Sequence, residues 1–300
     1  TNTDLSADNY LEVAWNAGNY EGTQYTVPLD IHGNAMYYNT DLLDKYDANT
    51  FLDDDVVTIE EILSLDGKLD EGQYAINNAL IEWVTLANVV NAGGDISDEA
   101  GNPTINTDAM RSVVEQLKSV ADAGLMSPYG EDGYAMFQSG DVLFSTDGTW
   151  TSTAHGSVEG LNFGVTNIYS VTPDKFTNRS SAHLFSLLNN EDRTDEKEQG
   201  VADFLSWMRE NSLDWAGAGQ IVASKEVFES EEYQQYPQSF FTSSDVEKEA
   251  SYIFDYKYYS YVESALGTVL SDMIYGNITI DEGLDQAQKT VEDLIAENAS

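Results

Sequence analysis

Residues 25–39, YTVPLDIHGNAMYYN, constrain the fold more than any other stretch of this chain. Pro28 has no backbone N–H to give to a ladder, so it suits an edge strand or a place needing no ladder hydrogen bond. An apolar run then leads into the aromatic pair Tyr37 and Tyr38, and a helix with Leu42 and Leu43 starts directly afterwards. A strand passing straight into a helix calls for mixed α and β structure. Alone, the segment fits an ordinary edge strand equally well.

A chain of 300 residues with 41% hydrophobic content buries a substantial core and is long enough for two lobes. Its 13 basic and 53 acidic side chains give a formal net charge of −40, spread along the whole length. Such a surface repels phosphate backbones and anionic headgroups, which argues against nucleic acid and membrane surfaces as partners. Solubility, or a salty or acidic exterior, accounts for so much acid. The absence of cysteine excludes disulfides, thiolate metal sites and cysteine nucleophiles. No run of about 18 apolar residues is present to span a bilayer. Residues 1–10 lack the basic start and apolar centre of a secretion signal, so export implies a targeting segment already removed.

Helices dominate the rest. In 78–93, Leu80, Trp83, Val84, Ala87 and Val90 recur at helical spacing, with Gly93 as the stop. The acidic loop 93–106 has Ala100 and Asn106 where a calcium loop needs glycine and glutamate, and it reads as a solvated turn. A helix starting at Thr107 or Asp108 packs Met110, Val113, Val114, Leu117 and Ala121 and stops at Gly124. Strands are expected over 161–168 and 182–188. A helix over 195–211 opens on Asp195 and Glu198 and packs Val201, Phe204, Leu205 and Met208. A further helix packs Val262, Ala265, Leu266, Val269, Leu270 and Met273. Thr279 and Glu282 then form a capping box for a last helix with Leu284, Ala287, Val291, Leu294 and Ile295.

Four elements, in order, resemble the extracellular solute-binding proteins of ABC importers, in particular the maltose-binding-protein-like sugar receptors. Gly22, Tyr25, Pro28, Tyr37, Tyr38, Asn39, Leu42 and Leu43 match the segment by which that family first passes between its lobes. Phe137, Gly140, Leu143, Phe144, Gly148 and Trp150 match a second element, residues 213–227 a third with Val222 where proline is usual, and Gly276, Ile278, Thr279, Glu282 and Ala287 the family's ending. The resemblance implies an α/β, periplasmic-binding-protein-like two-lobe fold of type II. The family carries a further block of strands and helices ahead of the hinge segment, where this sequence has only residues 1–24. The first lobe is therefore expected to be incomplete, whether the sequence is a fragment or the lobe is reduced.

The resemblance implies a first lobe of residues 1–31 and 185–252 and a second of 32–184 and 253–300, with crossings near 28–35, 181–186 and 251–258. It implies a receptor that holds a carbohydrate, an oligosaccharide, in the inter-lobe cleft and delivers it to the membrane subunits of an ABC permease. The hinge closes the lobes over the ligand. Such a receptor is a monomer at the extracellular face of the membrane or in the periplasm, lipid-anchored in its full-length form, and is not an enzyme. Neither a cofactor nor a metal is expected, since His32, His155 and His183 show no metal-ligand spacing.

Sugar rings present an apolar C–H face ringed by hydroxyls, so receptors stack an aromatic on the face and set polar groups at the rim. Trp150 and Trp83 are the expected stacking surfaces, with Asp30, His32 and His183 as hydroxyl partners and Tyr258 and Tyr259 as further contacts. Each has a plainer reading. Trp150 and the tyrosines suit core packing, Trp83 fits its helix's apolar stripe, and Asp30 and His32 are placed to cap the hinge backbone. Trp215 reads as packing. The competing class is an acidic glycoside hydrolase or other carbohydrate-active surface protein. A hydrolase needs two carboxylates across a glycosidic bond, and no motif singles out a pair among the 53 acids. G-x-S-x-G and P-loop patterns are absent.

Overall fold

A computed structural model describes residues 4–173, 175–243 and 251–298. The chain divides into two compact units. The first comprises Thr1–Gly33, Gly148–Ser157 and Ser180–Ile253, the second Asn34–Asp147, Val158–Arg179 and Phe254–Ser300. The chain changes unit at residues 33–34, 179–180 and 253–254. It also makes an excursion at Gly148–Ser157, which the sequence reading had left in the second lobe.

The second unit holds the larger core. The strand Asp30–Asn39 contributes residues 34–39, of which 36–39 pair antiparallel with Phe163–Thr166, setting Tyr37 opposite Val165 and Tyr38 opposite Gly164. Gly164 makes room there, because a Cβ would stand 2.2 Å from the Tyr38 hydroxyl and displace that side chain. Asn39 ends the strand and caps the helix Thr40–Tyr46, its side-chain oxygen accepting from the N–H groups of Asp41 and Leu42 at 3.0 and 3.1 Å. Tyr74–Ile76 and Val142–Gly148 pair in parallel, with Ile76 opposite Phe144. Around them pack Ile81–Asn91, Asp108–Asp122, Tyr259–Ile274 and Ile280–Asn298. Their stripes meet in one cluster that includes the fully buried Met36, Val84, Val113, Leu117, Phe144, Leu266 and Val291. Thr107 caps Asp108–Asp122, and Thr279 with Glu282 forms the expected box. Ala121, Leu294 and Ile295 are half-buried rather than core. Leu80, expected inside its helix, instead precedes it in a left-handed conformation with φ 48°.

The first unit is sparser. Thr26–Pro28 pairs antiparallel with Leu184–Ser186, so the strand expected over 182–188 is short. Residues 30–33 of the long strand pair with Ile221–Val222 and with Ser180 and Ser181. Ala216, Val222, Val227 and Tyr233 form a small core. Gly219, at φ +92°, lets the backbone approach the 148–157 excursion, since a Cβ there would stand 2.6 Å from the Thr149 carbonyl. The helix Asp195–Glu210 corrects two expectations. Thr194, not Asp195, is its cap and accepts from the Lys197 N–H at 3.3 Å. Its apolar stripe is not core: Phe204 and Trp207 are 52% and 55% exposed, and Arg209 is its one buried residue.

Candidate functional site

Apart from Tyr258, the candidate site residues singled out in the sequence fall into two clusters, each within a single unit. In the first unit the strand Asp30–Asn39 sets Asp30 and His32 two residues apart, and therefore on one face of the sheet. His183 joins them because the Leu29 N–H donates to the His183 carbonyl at 2.8 Å, which fixes the neighbouring segment beside the strand. Asp30 is fully buried. Its Oδ1 accepts from the His183 backbone N–H at 3.1 Å, and His183 Nδ1 lies 3.0 Å from both carboxylate oxygens. Oδ2 accepts from Trp215 Nε1 at 2.6 Å. His32 Nδ1 stands 3.6 Å from Oδ1, an ion-pair rather than a hydrogen-bond distance. Burial alone would raise the Asp30 carboxyl, but the partners supplied by His32, His183 and Trp215 outweigh it and hold the pKa below the ordinary value. An ionised carboxylate accepts only, so the His183 proton in this contact sits on Nδ1.

The expectation for Asp30 is corrected accordingly. With no exposed surface and its oxygens already engaged, it is placed to orient His183 and Trp215 rather than to meet a ligand itself. The two imidazoles lie 4.3 Å apart at 31°, and the Trp150 ring meets His32 edge-on at 6.0 Å and 71°. Trp150 is half-buried. Its indole lies against the backbone of Gly148, where a Cβ would fall inside the ring, so the lack of a side chain at Gly148 allows this placement. Trp215 is the residue that sequence reasoning undervalued: packing was anticipated, and its indole N–H was not given a partner. His155, also in this unit, is fully buried, and burial pulls its pKa down to about 4.

In the second unit Trp83 and Tyr259 are brought together by Arg179, which no motif had marked. The guanidinium carbon sits 3.8 Å over the Trp83 ring centroid and 5.2 Å from that of Tyr259. Arg179 Nε donates to the Tyr259 hydroxyl at 2.7 Å, and Nη2 pairs with Glu263 at 3.6 Å. The Trp83 indole N–H donates to Glu263. Burial raises Glu82; its own backbone N–H offsets this in part, and the Glu263 charge adds to the rise. Burial likewise raises the Tyr259 phenol far above its ordinary value. Trp83 is thus half-buried beneath a cation rather than part of the helix's core stripe. Tyr258 stands apart, stacked on Tyr261 at 5.7 Å with Lys257 Nζ 5.0 Å from its ring centroid.

The architecture is that of the two-lobe periplasmic sugar-binding proteins, with mixed α and β structure. Over residues 2–242 the sequence matches the profile of the family described as bacterial extracellular solute-binding protein, and the chain belongs to that family. No curated protein matches it. Among solved structures it is similar to the cyclic α-maltosyl-1,6-maltose binding protein of Arthrobacter globiformis, with a TM-score of 0.79 and 18% identity over 98% of this chain and 78% of the other. The maltotriose-bound maltose/maltodextrin-binding domain of Bdellovibrio bacteriovorus gives 0.75 and 17% over 97% and 78%. The GacH receptor of Streptomyces glaucescens, solved with acarbose, gives 0.79 and 16% over 97% and 76%.

Proposed function

We propose that this protein is the substrate receptor of an ABC importer for a carbohydrate, an oligosaccharide, which it delivers to a membrane permease. The observation that carries the reading is the Trp150 cluster: a half-buried indole beside two imidazoles, one of them oriented by a buried carboxylate. Such a set offers a flat apolar face with hydrogen-bonding groups at its rim, which suits a pyranose ring. Trp83 and Tyr259 with Arg179 and Glu263 form a second aromatic surface edged by charge. The two compact units are read as the receptor's lobes, each furnishing one cluster. The solved structures of similar fold support the ligand class, being named for or solved with maltosyl and related oligosaccharides. The receptor works as a monomer at the extracellular face of the membrane or in the periplasm, lipid-anchored in its full-length form, and binds without turnover.

Titration with a panel of mono- and oligosaccharides, followed by tryptophan fluorescence, tests this. Saturable quenching by an oligosaccharide, reduced at least about tenfold in affinity by Trp150→Ala in a variant that melts as the parent does, is the expected result. Glycan turnover in the same panel overturns the receptor reading in favour of a hydrolase.

A further inference from the structure

Sequence spacing gave no sign of a metal site, because His183 is far along the chain from Asp30 and His32. The fold brings one donor atom from each of these three residues within 4.8 Å of the others. We propose that Asp30, His32 and His183 form a binding site for a divalent transition metal of the zinc type. The inference stands apart from the carbohydrate reading, since it needs no sugar.

The spacing is the first argument. Two donors each about 2.0–2.1 Å from a tetrahedral zinc ion lie about 3.4 Å apart. Asp30 Oδ1 lies 3.0 Å from His183 Nδ1 and 3.6 Å from His32 Nδ1, and all three donors fall within 4.8 Å of one another, so modest side-chain shifts centre an ion among them. The second is the state of His32. Its Nδ1 is buried without a hydrogen-bond partner while facing the carboxylate, which leaves a lone pair directed into the cluster or a proton there poorly shared. A metal ion satisfies this nitrogen. On binding, the proton that His183 holds at Nδ1 moves to Nε2, leaving the imidazole neutral with its Nδ1 lone pair on the metal.

The surroundings already have the form of an outer shell. Trp215 Nε1 donates to Oδ2, holding the carboxylate with Oδ1 directed at the two imidazoles, as outer partners of metal ligands do. Two imidazoles and one carboxylate are borderline donors that favour zinc, cobalt or nickel over calcium and magnesium, which take oxygen ligands. Three protein donors leave a coordination position for water. The His183 side chain is 55% exposed, which provides an entry path. A net charge of −40 raises the local concentration of any cation.

The test uses the full chain, freed of metal by a chelator and dialysed, and titrated calorimetrically with ZnCl2 under excess Mg2+ to occupy surface carboxylates. One zinc ion per chain is expected, with Co2+ giving the intense visible absorption of a tetrahedral nitrogen and oxygen field. His183→Ala, at an exposed position, and His32→Ala should each weaken zinc on the order of 100-fold, and Trp215→Phe about tenfold. No saturable zinc binding, or binding that His183→Ala and His32→Ala leave unchanged, overturns the proposal. Sugar titrations run in chelator report on the carbohydrate reading alone, so the two fail separately.

Discussion

The helices Asp108–Asp122 and Asp195–Glu210 both carry an apolar stripe and a threonine cap, the stripe sharper in the first, and they meet opposite fates. The first buries Met110, Val113, Val114, Leu117 and Val120 against the neighbouring helices of the second unit. The second leaves Phe204 and Trp207 largely exposed and lines grooves of about 1020 and 560 Å³, walled also by Leu187, Leu188, Trp15 and Phe185. A helical stripe records what a segment is able to bury. Whether it does so depends on what the fold sets opposite, and in the first unit the two-stranded ribbon of Thr26–Pro28 and Leu184–Ser186 covers little of the helix.

The sharpest break in this comparison is a pair of truncations. Leu117→Ala should cost about 3 kcal/mol in urea unfolding, since it opens a cavity in a closed core, whereas Phe204→Ala should stay within about 0.5 kcal/mol. Equal costs would mean that the two stripes are packed alike. Next in size is the buried His155 of the first unit, whose pKa falls from 6.5 to about 4 on folding. The unfolded chain takes up the proton first. Stability is therefore full above pH 6.5 and declines as pH falls toward 4, by up to about 3 kcal/mol. Thermal melts across that range should show the decline, and His155→Leu should remove it relative to the parent.

Arg209 is a smaller lever. The one buried residue of its helix, it pairs with Asp4 and lies 3.5 Å from Glu226, so ions substitute there for an apolar anchor. Arg209→Ala should cost about 2 kcal/mol, and hydrogen exchange should place the loss in the first unit. Smallest are the caps. Thr107→Ala and Thr194→Ala should each lower stability by about 1 kcal/mol, because a cap acts on its own helix end whatever the stripe packs against. A large inequality would show that the comparison extends to the helix ends.

Local features were legible where a few neighbouring residues decide them. Thr107 and the Thr279–Glu282 box each depend on groups within three residues, and their hydrogen bonds are as the sequence implies. The Asp195–Glu198 reading missed by one residue because several polar side chains competed for a single cap. Trp83 was harder to read, since the same spacing serves a core stripe and a surface stack. Arg179, nearly a hundred residues away in sequence, decided between them. Trp215 and His183 were underread for a similar reason: their partner is Asp30, and no periodicity links them.

The sequence by itself determined the α/β class, the long helices, the surface charge and the family resemblance, because each rests on composition or on short-range spacing. Tertiary structure alone decided that Gly148–Ser157 joins the first unit, that Phe204 stays in solvent, that Arg179 lies over Trp83, and that Asp30 gathers His32, His183 and Trp215. The physical reason is that a buried carboxylate or a stacked cation takes its energy from partners distant along the chain. Those partners are chosen by packing, and local pattern carries no record of them.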